Sequence, residues 1–536
     1  MGAALERLLP VYPDLFVFAY GLLALLVMGL VVVCSVAAVL CIRILSDKLR
    51  KNGISFYISY VSHRIKAFRL LREVVHVYRT GQRALWRWEK RFRISVVRNP
   101  TGWMLAVLAG VLLTRLIITY GNSGSTMKAP ESMVALPSRG VDLSLAVVKP
   151  LIHMLRGEIF YYYTANYGPS FTLFTLPFLR IAEYTKQCSW VDEGTCVMVL
   201  YNWLLASSVG GFALFIWLTT KRNQEDRNVL FLFFITFLLG IAGSLGLERG
   251  NIDILLALFF GMSIFGMKHA SSLAVVAVSS VVAFLASSKL LFLPLAFLVF
   301  ILSYRPILSI VTFAMVFFTF AYLPNLWGAS SGVLDQFRVA LEFEKAIPFA
   351  SHLNILYNHS FAAMASMFTD CFRDQTCRNA DDVRKIRFVS FVLAMFVFAL
   401  PWRERFTANL WLAWRVLLAH RRRWSVMLLA IAYFVAVINL LPRFSFDYRL
   451  YFSLPIVIYL YNASKGNDRA RYYCLLSMLF LGLKGLWIGQ YIHPAGMNIF
   501  EARGLHFFVA LHYFALIKSA ILLWSRLLTS HARDMV

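Results

Sequence analysis

Three polar knots interrupt an otherwise apolar chain. Glu248, Arg249, Asn251 and Asp253 crowd into the first, Lys289 stands between two apolar runs, and Arg443, Asp447, Tyr448 and Arg449 form the last. Asp142 lies apart from them, in a stretch over 138–174 that also carries Arg139, Glu158, Tyr161 to Tyr163, Tyr167 and the Gly168-Pro169 turn. A carboxylate beside a substrate hydroxyl can take its proton. Arg grips phosphate oxygens in bidentate fashion, and Lys offers a compact positive charge. Acids for proton abstraction, cations for an anion and apolar flanks for a lipid tail together suit an enzyme that draws on a lipid-phosphate donor. The same set suits a transporter of an anionic or lipid-linked substrate. Asp142 is the first choice for a general base and Asp253 the second.

The elements that must position these residues are membrane helices. The chain has 536 residues, 60% hydrophobic and 15% charged, with a net charge of +26. Its repeated apolar runs are the mark of a polytopic helical protein. Lys and Arg collect in loops on the cytoplasmic side, so the positive excess reads first as topology and argues against nucleic acid as a partner. Over 43–98 there are fifteen Lys and Arg against three acids, with the aromatic-basic piece Trp86-Arg87-Trp88-Glu89-Lys90-Arg91-Phe92. This segment reads as cytoplasmic amphipathic helices on the inner leaflet, with a solvated loop as the alternative.

The expected fold class is all-α, a polytopic transmembrane bundle of about thirteen spans. Residues 1–42 form an N-terminal anchor span and 43–100 the basic segment. Residues 101–526 are the main membrane domain, and 527–536 a cytoplasmic tail. The apolar piece 170–181 is short for a span and reads as a helix lying in the outer interface. Charge buried in a span costs about 2.5–3.5 kcal/mol on insertion scales, so the polar knots need a reason. With the spans alternating in and out, all three knots and Asp142 fall on the outer face. Cys188 and Cys196 share one short external loop and Cys371 and Cys377 another, so two local disulfides or four free thiols are both open. No Cys/His zinc spacing is present.

In this arrangement the chain resembles integral-membrane glycosyltransferases of the C superfamily, nearest family 87, the polyprenyl-phosphate-mannose-dependent type. The resemblance covers roughly 101–524. Asp142 stands where that family has an Asp in its first external loop, followed by the turn Arg156-Gly157-Glu158-Ile159-Phe160-Tyr161. Tyr167-Gly168-Pro169-Ser170-Phe171 stands for its Tyr-Pro-Pro motif, with Gly168 in place of the first Pro. Gly250-Asn251-Ile252-Asp253 resembles the start of a family span, and Lys289 the Lys two spans later. Asn358-His359-Ser360 resembles an Asn-Gln-Ser element, and Phe444-Ser445-Phe446-Asp447-Tyr448 a late Ser-x-Asp-His-Tyr motif with Tyr448 in the His position.

The resemblance implies inverting transfer of a sugar, mannose by the family pattern, from a polyprenyl phosphate to an acceptor hydroxyl outside the membrane. Asp142 would be the base. Arg249, Lys289, Arg443 and Arg449 would hold the donor phosphate. Glu248, Asn251, Tyr167, Asn358, Asp447 and Tyr448 would contact substrate. No metal or other cofactor is expected, since cations neutralise the leaving phosphate. The expected partners are membrane lipids, the lipid-phosphate sugar and an acceptor that is a glycolipid, glycan or protein. A bacterial cytoplasmic membrane is the expected location. Structural readings stay open beside these: Asp142 as a helix cap, Glu248–Arg249 as a local ion pair, and Lys289 as a snorkelling side chain.

Overall fold

A computed structural model describes residues 89–121, 147–149, 169–188, 193–220, 223–240, 243, 247, 251–322, 359–366, 380–402, 424–442, 447–484 and 506–534. Among these residues every regular element is a helix, and no strand occurs. The basic helix α1 (Glu89–Arg98) meets α2 (Pro100–Gly121) at 93°. Pro100 accounts for the corner: it cannot donate to the preceding turn, and it disfavours helical backbone at Asn99. α3 (Pro169–Tyr184) and α4 (Glu193–Thr219) follow, joined by a Cys188–Cys196 disulfide, so one of the two expected bridges is present. Cys371 and Cys377 lie outside the described residues.

The chain continues through α5 (Gln224–Leu239), α6 (Asp253–Gly266), α7 (Ser272–Ser288), α8 (Leu293–Leu302) and α9 (Pro306–Tyr322). Their starts follow from local chemistry. The Asn223 side chain accepts from the Glu225 and Asp226 amides, Ser271 accepts from Ala274, and Pro294 sits in the first turn of α8, where its missing N–H costs nothing. After the short α10 (Phe361–Ser366) come α11 (Ala380–Phe398), α12 (Trp424–Leu440), α13 (Ser453–Ala463), α14 (Asp468–Leu483) and α15 (His506–Asp534).

The core is one continuous apolar cluster running through nearly all these helices. α14 and α15 form its most extensive contact and run antiparallel. Their register is fixed by bonds from Ser519 Oγ to the Ala470 carbonyl and from Asn467 Nδ2 to the Leu522 carbonyl. Helices approach closely where a side chain is missing: a Cβ on Gly261 of α6 would lie 3.1 Å from Pro455 of α13.

Two helical stretches, Gly194–Thr219 and His506–Ser525, are long and apolar enough to cross a membrane, and the bent α1–α2 pair makes a third if it is one span. Five further apolar helices run 10–17 residues. The described residues are therefore all-helical and compatible with a membrane protein. The expected count of about thirteen is a finer statement than these lengths carry.

Candidate functional site

Asp253 opens α6 and Lys289 closes α7, and the two meet inside the bundle. The ammonium donates to both carboxylate oxygens at 2.7 Å. The Asp253 side chain is 0% exposed and that of Lys289 5%. Asn251, also buried, turns its Oδ1 back to accept from the Asp253 amide at 2.9 Å, which fixes the entry to α6. Sequence reasoning gave Asp253 and Lys289 separate roles, proton acceptor and phosphate clamp. The geometry joins them in one pair, so each already neutralises the other. Burial of two ions is tolerated only with such close mutual bonding.

Below the pair lies an aromatic floor. Phe452 packs edge to face on both Phe260 and Phe292, centred 4.9 Å from the latter, and Phe434 flanks them. Lys289 precedes Phe292 by three residues, and the Phe292 amide bonds back to the Lys289 carbonyl. Arg449 precedes Phe452 by three, in the 3-10 segment Asp447–Phe452. The touching rings therefore set the segments that carry Lys289 and Arg449, 160 positions apart, beside each other. Arg449 is buried. The segment is held by Tyr451, whose hydroxyl donates to the Gly243 carbonyl, and it packs on α6.

Of the sequence candidates, Asn251, Asp253 and Lys289 thus come together, and Arg449 lies in a segment that packs on α6. Asp447 and Tyr448 begin the 3-10 segment beside them. Asp142, Tyr167, Glu248, Arg249, Asn358 and Arg443 lie outside the described residues. Among the described residues no three His, Cys, Asp or Glu side chains gather as a metal group.

Sequence reasoning passed over two further clusters. At the opposite end of the bundle Asp226, 0% exposed, accepts from Arg471 Nη2 at 2.7 Å and lies 2.7 Å from Lys465 Nζ. Arg471 also donates to the Tyr461 hydroxyl and stacks on its ring. The available signal was the acid pair Glu225-Asp226 beside Lys221, Arg222 and Arg227, but those cations served only to orient the spans. The second cluster is His512 on Ser477, buried where α14 faces α15. No family model, curated protein or solved structure matches the chain.

Proposed function

We propose that the chain is a multi-pass membrane glycosyltransferase that moves a sugar, mannose by the resemblance, from a polyprenyl-phosphate donor to an acceptor hydroxyl. The observation that carries this reading is the buried Asp253–Lys289 pair with Asn251 beside it, next to an aromatic cluster whose Phe452 follows Arg449 by three residues. A phosphate with a hydrophobic tail needs that combination of cation and apolar surface. In this reading Asp142 is the base. It takes the acceptor proton as the new glycosidic bond forms and the bond from sugar carbon to phosphate oxygen breaks. The electron pair leaves with the phosphate, held by Arg449 together with Arg249 and Arg443. Lys289 is bound to Asp253, so its part in the resting protein is to hold α6 against α7. In this reading the spans alternate so that this end faces outward, and α1, which meets α2 at 93°, lies along the inner leaflet.

The test is transfer of label from a radiolabelled polyprenyl-phosphate hexose in membranes. Asp142→Asn should abolish transfer while the protein remains folded and inserted. Arg449→Gln should lower kcat/KM by about a hundredfold or more, as loss of a transition-state clamp does. Full transfer by the Asp142 variant removes the assignment of the base.

A transporter is the second reading, and one feature favours it. Charged pairs lie toward both ends of the bundle, the buried Asp253–Lys289 at one and Asp226 with Arg471 and the half-exposed Lys465 at the other, as two gates would. Under that reading a labelled lipid-linked sugar changes leaflet and its phosphate–sugar bond stays intact.

A further inference from the structure

His512 sits in the second turn of α15 and is 0% exposed. Its Nδ1 lies 3.0 Å from the Ser477 carbonyl oxygen and 2.9 Å from Ser477 Oγ. A carbonyl oxygen only accepts, so Nδ1 carries the proton. Its described neighbours, Ser477, the Tyr513 ring 4.6 Å away and His359, bring no negative charge to support an imidazolium in this dry position. The ring is therefore neutral, and Nε2 is a bare lone pair. Among the described residues nothing donates to it. Unsatisfied buried acceptors are rare enough in native proteins to call for an explanation.

We propose that Nε2 of His512 is a binding position for a neutral hydroxyl of a polyhydroxylated ligand. A bare lone pair repels an anion. A metal ion would need further ligands that the described residues do not gather. An O–H donor satisfies it directly. The location fits: His359 comes within electrostatic reach of His512, and Asn358, expected to touch substrate, is its neighbour in sequence. The next residue along α15, Tyr513, bonds Ser453 at 2.7 Å, and Ser453 directly follows the segment that carries Arg449. With the transferase reading, on which the identity of the ligand rests, the hydroxyl belongs to the sugar.

Two substitutions divide the ring's functions. In His512→Asn the amide nitrogen replaces Nδ1 and keeps the bond to Ser477, while the acceptor is lost. In His512→Gln an amide oxygen reaches the Nε2 position. With a polyprenyl-phosphate hexose as donor, His512→Asn should raise KM about tenfold or more with kcat less affected, and His512→Gln should recover much of the loss. Independently of activity, the ¹⁵N resonance of Nε2 in histidine-labelled protein should report an unprotonated nitrogen and move on adding octyl mannoside. Turnover by the folded His512→Asn protein within about twofold of the parent overturns the proposal. So does an Nε2 signal that is protonated, or one that octyl mannoside leaves in place because a trapped water already fills the position. If octyl mannoside moves the signal while no transfer is found with any donor, the hydroxyl position stands and the transferase reading falls.

Discussion

Asp253 and Lys289 set the energetic stakes at the scale of single residues. Each is buried, and each is tolerable only because the other is there. Removing one partner strands the other's charge in a dry interior, at about 3–5 kcal/mol. Asp253→Asn and Lys289→Met should each lower the melting temperature in detergent sharply, and the double variant should recover most of the loss. Additive losses in the double variant would show that the pair contributes little as a unit. That both residues matter is legible from the sequence, because charge at the border of an apolar run is costly anywhere along the chain. Their partnership is not, because it spans 36 positions and depends on how α6 and α7 pack. His512 is harder still to see. Inside the run Phe507-Phe508-Val509-Ala510-Leu511-His512-Tyr513-Phe514 it reads as one polar residue among apolar ones, and only the partner helix reveals which nitrogen is bare.

Among the elements, apolar run length predicts most helices to within a few residues, since hydrophobic content and helix length change together in a membrane segment. The apolar run 271–287 is the helix Ser272–Ser288, and the run 426–441 is Trp424–Leu440. The expectation strays where apolar sequence does not run as one straight helix. The run 290–304 begins as a 3-10 turn, Leu290–Phe292, and that over 450–461 lies partly in the 3-10 segment Asp447–Phe452. Hydropathy does not distinguish these geometries. The Cys188–Cys196 bridge closes a loop of 8-residue separation between α3 and α4. Loop-closure entropy gives it about 2–3 kcal/mol. Cys188→Ser should therefore lower stability by that order and leave α3 and α4 the elements that loosen first. Hydrogen exchange in detergent, read peptide by peptide, separates this from a uniform loss.

The whole molecule places unlike chemistry at its two ends. One end holds Asn251, Asp253 and Lys289, and the other holds Asp226, Lys465 and Arg471 with Lys268 stacked 4.2 Å over the Trp424 ring. If the ends face opposite compartments, single cysteines placed at exposed Tyr184 and exposed Arg305, in a background without other free thiols, should react with an impermeant maleimide from opposite sides of sealed vesicles. Labelling of both from one side would refute the alternation of spans. The shorter apolar helices have a further consequence. At 10–17 residues they reach roughly 15–26 Å, against about 30 Å for the hydrocarbon of an ordinary bilayer. If these helices span the bilayer, lipid meeting them must compress, which costs a fraction of a kcal/mol per Å and adds up around a perimeter. The leaflet surface then dips toward the bundle, lowering any phosphate headgroup to the level of the helix ends without lifting its tail out of the oil. The same compression is least costly in thin membranes, so bilayer thickness alone would bias where along a graded membrane system this protein comes to rest.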